Sequence, residues 1–359
     1  MSPPSGDIAS RKSDHIALCR DGDVGFHQKT TLLDEVELVH DALPELALDD
    51  LDLSTSFAGR PLRAPLIIAA MTGGTAEAET INRDLAAVAE EFGIGFAFGS
   101  QRPLLLRGIR DGYHVRDVAP TCLVLGNIGI VQAAETSTER LQHLLHETGA
   151  DALCVHLNPA MEVVQPGGDR DFRRGIETIV RLHAELGCPV IVKETGCGIS
   201  RSVGERIAAV GIRHVDVSGA GGTSWVAVET LRSNAQQRAI GERYRDWGIP
   251  TAASVAQLSG LDLAIVATGG LQNGLDVARA LALGARCGGI ARPLLKAQAQ
   301  GPTALRAAIS QVLEELRVAM LLTGSRTPDD LRRVPLQLGG RLAQWVPRRT
   351  PLHARAFPD

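Results

Sequence analysis

Aromatic side chains are scarce in this 359-residue chain, at 3% Phe, Tyr and Trp. Its core must therefore be built from Leu, Ile, Val and Ala. The six cysteines (Cys19, Cys122, Cys154, Cys188, Cys197, Cys287) include no C-x-x-C pair. That leaves no zinc-type spacing and fits a reducing compartment. Four of them sit in or beside apolar runs, the usual setting of a free buried thiol. No apolar run approaches the ~18 residues that would span a bilayer. The first 15 residues lack the apolar stretch of a signal peptide, so a cytoplasmic location without membrane association is expected. A cationic excess is missing too: Lys and Arg number 37 against 41 Asp and Glu, a net charge of −4. A nucleic-acid binder would normally carry a basic face, whereas a small anionic substrate needs only a local cluster.

What is present is a rhythm. Short apolar runs recur at 65–70, 95–98, 122–125, 152–157, 190–192, 215–217, 263–267 and 287–290, each ending in Gly, Ser, Asn or charge. Runs of this length suit strands buried on both faces of a parallel sheet. Amphipathic stretches separate them. One could start at a Thr75 cap, bury Ile81, Leu85 and Val88, and stop at Gly93; another lines up Leu275, Ala278, Leu281 and Ala282 before Gly284. Eight strands alternating with helices predict an α/β fold, a (β/α)8 TIM barrel with an N-terminal extension. A doubly wound open sheet is the alternative, but no G-x-G-x-x-G follows the first strand. The expected division is an extension at 1–60 that packs on the barrel and contributes to the substrate site, the barrel at 61–335, and a tail at 336–359. The tail, rich in Arg and Pro, reads as a surface appendage.

Residues 156–172, HLNPAMEVVQPGGDRDF, leave the fourth strand as a packet of ligand-type groups: His156, Asn158, Glu162, Asp169 and Asp171. The seventh and eighth strand ends carry ATGGLQNGLD (267–276) and GGIARP (288–293), where barrels commonly build a phosphate cradle from backbone N–H groups. A second glycine loop, DVSGAGGTSW (216–225), places Ser218 and Thr223 to donate to phosphate or ribityl oxygens. Lys193, at the end of the fifth strand, emerges from an apolar run, where an unpaired charge is costly. AMTGGT (70–75) could lay backbone against a planar ring. Together these features suggest a phosphorylated planar cofactor, with FMN the natural candidate. Arg11-Lys12, Ser100-Gln101-Arg102, His156 and Asn158 exceed what one monophosphate needs and imply a second anion site. Glu162 could there join substrate phosphates in holding Mg2+.

These residues carry a resemblance. The chain resembles the type 2 (FMN-dependent) isopentenyl-diphosphate delta-isomerases through RKSDHI (11–16), AMTGGT, GSQR (99–102), GNIG (126–129), the 156–172 packet, VIVKETGCGIS (190–200), DVSGAGGTSW and ATGGLQNGLDVARALALGA (267–285). These motifs cover most of the chain in order. The resemblance implies a TIM barrel assembling as a homo-oligomer, a tetramer or octamer. Its implied reaction interconverts isopentenyl and dimethylallyl diphosphate, reduced FMN supplying the proton and NADPH needed only to reduce the flavin. It implies FMN contacts from Met71, Thr72, Gly73, Ser100, Asn127, Lys193, Ser218, Thr223, Gly269, Gly270, Leu271, Ala291 and Arg292. Diphosphate contacts are implied for Arg11, Lys12, Ser100, Gln101, Arg102, His156 and Asn158, with Glu162 as the Mg2+ ligand. Trp225 and Glu229, four apart, are weaker candidates for lining the site if that loop starts a helix.

One position departs from the family pattern. Met161 stands where the family has Gln beside that glutamate, and PGGD (166–169) replaces PEGD. Methionine has no N–H donor and only a weak sulfur acceptor. Three readings stay open: Met161 merely shapes the pocket, Gln165 reaches the same face one helical turn on, or the chain is a paralogous flavoprotein with altered or lost isomerase activity. An FMN-dependent 2-hydroxy-acid oxidase is the rival enzyme, since the seventh strand–helix unit resembles that family too. It would need a His with an adjacent Arg after the sixth strand, where this chain has Ser218-Gly219-Ala220-Gly221.

Overall fold

All eight apolar runs become strands: β1 (Leu66–Ile68), β2 (Gly95–Ala97), β3 (Val124–Gly129), β4 (Ala152–Leu157), β5 (Val190–Glu194), β6 (His214–Asp216), β7 (Ala264–Ala267) and β8 (Cys287–Ile290). In the computed structural model, which describes residues 6–348 and 350–357, they pair in parallel, each with its sequence neighbour, and β8 closes onto β1. The helices that matter for the site are α1 (Gly6–Asp21), α2 (Ala76–Phe92), α3 (Arg102–Arg107), α4 (Pro159–Val164), α5 (Trp225–Arg232), α6 (Gly274–Leu283) and α7 (Arg292–Gln298). Helix α2 keeps its expected bounds. The Thr75 hydroxyl accepts from the Ala78 N–H, and Gly93 ends the helix at φ 64°, where glycine avoids the Cβ clash.

The period-two alternation of the strands sorts the barrel interior into layers. A lower layer of Ile67, Ala97, Leu125, Cys154, Ile191, Val266 and Cys287 packs with Phe57 and Leu62 of the hairpin Thr55–Phe57/Arg60–Leu62. That hairpin plugs the N-terminal end. Two residues further along the same strands come Ala69, Gly99, Asn127, His156, Lys193, Thr268 and Gly289, and all of these line one cavity. The apolar floor and the polar wall are therefore consecutive rungs of the same inward faces.

The tail differs from its expectation as a surface appendage. Leu336–Leu338 pairs antiparallel with Val36–Leu38 of the extension, and Leu336, Leu342 and Leu352 are fully buried. Hydrophobic burial of three leucines outweighs the Arg and Pro around them. The extension is pinned to the barrel elsewhere as well: Ser224 N–H donates to the Val24 carbonyl at 2.7 Å, and Ala252 N–H to the Thr31 carbonyl at 2.9 Å.

Candidate active site

The cavity opens at the C-terminal ends of the strands and has a volume of about 360 Å³. Of the residues singled out in the sequence, Gly73, Gln101, Asp169, Asp171 and Glu229 fall outside its lining; the first two belong to motifs expected to touch the ligands. Gln101 is fully buried behind the wall, exchanging hydrogen bonds with the Asn127 backbone: its Oε1 accepts from Asn127 N–H and its own N–H donates to the Asn127 carbonyl, both at 2.8 Å. A Cβ on Gly73 would lie 2.3 Å from the Tyr113 ring, whose hydroxyl donates to the Ser100 carbonyl at 2.6 Å. Both residues thus act on the wall from outside. The cavity also takes in His15, Gln132, Thr195, Thr268 and Lys296, none of which stood out in the sequence. Trp225 does line it; Glu229 sits one turn on along α5, fully buried.

One half of the cavity is cationic. Helix α1 delivers Arg11 and Lys12, and the start of α3 delivers Arg102. Burial first, then Arg11 and Arg102, push the Lys12 ammonium down to about 8. The nearby carboxylate is Glu162 on α4. Its Oε1 accepts from Asn158 Nδ2 at 2.9 Å and its Oε2 from Asp169 N–H at 2.7 Å. Burial raises its pKa, opposed by the Asp169 N–H. Asp169 itself lies 3.9 Å from Arg102 and accepts from Gln132 Nε2 at 2.7 Å. Among the described residues no group of three His, Cys, Asp or Glu could hold a metal unaided.

The two residues at the unusual position both line the cavity, as the helical turn Pro159–Val164 requires. Gln165 caps that turn, its N–H donating to the Met161 carbonyl at 3.0 Å. Its amide is satisfied with the oxygen accepting from Arg11 at 3.0 Å and the nitrogen donating to Glu229 at 3.2 Å. Glu229 also accepts from His15 Nε2 at 2.7 Å and from Arg232 at 3.0 Å. Burial works to raise its carboxyl, but His15, Arg232 and Arg11 together hold it below the ordinary value.

His156 has a defined tautomer. Asn127 Nδ2 donates to the Phe98 carbonyl at 3.0 Å, which leaves Asn127 Oδ1 to accept from His156 Nδ1 at 2.8 Å. Nε2 is then the free nitrogen. Burial, with Lys193, Lys12 and Arg102 adding repulsion, pushes the imidazole down to about 3. An unfolded histidine binds its proton near pH 6.5. Between these values the unfolded chain holds more protons, so stability falls as pH drops, by at most about 1.4 kcal/mol per pH unit. Urea midpoints at pH 7 and pH 5 should therefore fall further for the wild type than for His156→Gln. Equal losses would refute this environment for His156.

The other half is built from glycine and backbone. A Cβ on Gly222 would lie 2.5 Å from Gly270 N and Cα, and one on Gly269 would lie 2.2 Å from the Gly219 carbonyl. The loops after β6 and β7 thus touch backbone to backbone. Arg292 reaches back from α7 to the Gly22 carbonyl at 2.8 Å. Among the described residues, nine buried side-chain atoms lack a protein partner, and five belong to cavity residues: the Nε atoms of Arg11, Arg102 and Arg292 and the hydroxyls of Thr72 and Thr195. Orphaned donors gathered at one surface mark a polar ligand's place. Glycine cradle, orphaned donors and the buried Lys193 all fit a phosphorylated, polar-edged planar group.

Comparison with known proteins agrees. Residues 132–337 match the FMN-dependent dehydrogenase family. Mandelate oxidase in complex with (S)-2-phenylpropionate superposes with a TM-score of 0.64 over 93% of this chain and 98% of that one; at 17% identity it shares the fold alone. The isopentenyl-diphosphate delta-isomerase of Halobacterium salinarum is 42% identical over 348 residues, 95% of this chain and 96% of its own. That of Xanthobacter autotrophicus is 43% identical over 331 residues, 91% and 96%. Fold and site together define an FMN-dependent (β/α)8 flavoprotein. Within that class the chain belongs to the type 2 isopentenyl-diphosphate delta-isomerase family. Among the described residues no helix is long and apolar enough to cross a membrane.

Proposed function

We propose that this chain interconverts isopentenyl and dimethylallyl diphosphate, with reduced FMN as the acid/base and Mg2+ holding the diphosphate. The observation that carries the reading is one cavity with two kinds of lining: the mutually close Arg11, Lys12 and Arg102, and the glycine loops with Lys193. The alkene of such a substrate is a very weak base, and its protonation gives a tertiary cation. Bound FMN, once reduced by NADPH, would supply the proton without net redox change. The protein's part is to hold the diphosphate at a fixed distance from that proton and to keep water out. Arg11, Lys12, Arg102 and Asn158 bind the diphosphate, and His156 offers Nε2 beside them. Glu162 with substrate phosphate oxygens would hold Mg2+, which typically takes one or two carboxylates plus phosphates. Met71, Ile16, Met161 and Leu271 supply the apolar lining that leaves a cation unquenched.

The second reading, a paralogous flavoprotein that binds a prenyl diphosphate with altered or lost isomerase activity, rests on Met161. The Gln165 amide, bridging Arg11 and Glu229, favours a working site. Hydrogen bonds to charged groups contribute about 1.5–3 kcal/mol, roughly 10–100-fold in rate. Gln165→Ala should therefore lower kcat/KM by about tenfold or more, and Met161→Ala less than that; the reverse order would count against the bridge. The deciding assay is anaerobic: dithionite-reduced protein, FMN, Mg2+ and labelled isopentenyl diphosphate. No conversion above the enzyme-free control would sink the isomerase reading. A homo-oligomer, a tetramer or octamer, and a cytoplasmic location complete the proposal. Exposed Ile240, Tyr244 and Trp247 give such an assembly apolar surface to cover, which light scattering would test.

A further inference from the structure

Lys193, Ser218 and Thr268 reach the cavity from three neighbouring strand ends, and one carboxylate that does not line the cavity holds all three. Asp216 is the Cα partner of Lys193 across β5 and β6. Its Oδ2 lies 3.1 Å from Lys193 Nζ, and both side chains are at least nine-tenths buried. Its Oδ1 accepts from the Thr268 hydroxyl at 2.5 Å and from the Ser218 N–H at 3.1 Å. Ser218 needs that restraint because its φ of 37° lies in the left-handed region, which a residue with a Cβ rarely adopts. Its carbonyl in turn accepts from the N–H groups of Gly196 and Gly198, which shape the loop after β5. The other contact of Lys193 Nζ is the Glu194 carbonyl at 2.9 Å, which carries no net charge. An ammonium buried to this degree persists as a cation when a counter-charge stands beside it. The titratable groups packed around the pair are His156 and Cys154 on β4 and Glu194 on β5.

We propose that Asp216 is a positioning residue of the cofactor half of the site: it keeps Lys193 charged and aimed into the cavity, and it pins the Ser218 turn and the Thr268 hydroxyl beside it. The link to flavin rests on the FMN reading; the link to Lys193 does not. A fixed cation at the edge of a flavin stabilises its anionic reduced form, so Asp216 acts on the cofactor through Lys193.

The chain has four lysines (Lys12, Lys29, Lys193 and Lys296), so carbon-13 lysine labelling of the flavin-free protein gives few signals, and K193M assigns the one of interest. Asp216→Asn is nearly isosteric and removes the counter-charge. The Lys193 signal should then lose its proton at least one pH unit lower than in the wild type. With FMN bound, the midpoint potential plotted against pH should gain an inflection in D216N that is missing from the wild type, from K193M and from K193M/D216N. An unchanged Lys193 titration in D216N overturns the proposal, as does an equal shift of potential by D216N in the K193M background. Should D216N fail to fold, recovery of folding in K193M/D216N supports it, because the uncompensated ammonium is the fault; a double variant equally unfolded overturns it. Wild-type protein that takes up no FMN overturns the cofactor reading, and the lysine titration still decides the role of Asp216.

Discussion

Glu162→Gln should lower kcat/KM for isopentenyl diphosphate by about 10²–10³-fold and remove its saturable dependence on Mg2+. The carboxylate sits between two donors, Asn158 Nδ2 at 2.9 Å and the Asp169 N–H at 2.7 Å. An amide in its place turns an NH2 toward one of them, so the variant loses both a charge and a satisfied hydrogen bond. Breaking a buried charged contact costs about 3–5 kcal/mol, and each 1.4 kcal/mol is tenfold in rate. Because Glu162 faces the cationic half of the cavity, FMN affinity should stay near wild type. Initial rates measured against Mg2+ concentration, beside an FMN titration, separate the two. A variant with the wild-type Mg2+ curve would remove Glu162 as the metal ligand.

The strands were legible because runs buried on both faces leave no polar alternation to confuse them, and the barrel followed from their number. The inward rungs at Asn127, His156 and Lys193 were legible as strand-end polar residues, and the structure adds that they sit inside their strands, two residues above the apolar floor. Orientation behind the wall was not legible. Gln101 and Gly73 belong to motifs that face the cavity, yet one is turned by the Asn127 backbone and the other is demanded by the Tyr113 ring, and both partners are distant in sequence. Thr195 and Thr268 look like ordinary strand-end hydroxyls until the fold places them on one surface. Glu229 stood out only as a weak candidate for lining the site, because His15, 214 positions away, gives it a partner that no local pattern reveals. The tail strand escaped notice for a similar reason: Leu336–Leu338 is three residues long, and its pairing partner lies at Val36–Leu38.

Gly222→Ala tests the cofactor half as Glu162→Gln tests the other, and its expected effect is as large. Gly222 has an unstrained backbone, so the substitution carries no dihedral penalty, and the whole cost is contact. The new Cβ would sit 2.5 Å from both N and Cα of Gly270 and 3.1 Å from the Gly269 carbonyl carbon. These are backbone atoms, with no flexible side chain to yield. Relief to ordinary van der Waals separation requires the loop after β6 to move away from the loop after β7 by about 1 Å, and such overpacking costs about 1–3 kcal/mol. The larger loss is in binding. The same two loops carry Ser218, Thr223 and Gly270 to the cavity, and a 1 Å misplacement can cost about 10²-fold. Gly340→Ala is the control: nothing lies within 4 Å of its Cβ and its φ needs no glycine, so stability and FMN binding should both be unchanged. Fluorescence quenching of FMN by the flavin-free proteins reads the binding, and thermal melts read the packing. A Gly222→Ala protein that melts lower yet binds FMN with the wild-type Kd would mean that the glycine loops brace the barrel without cradling the cofactor.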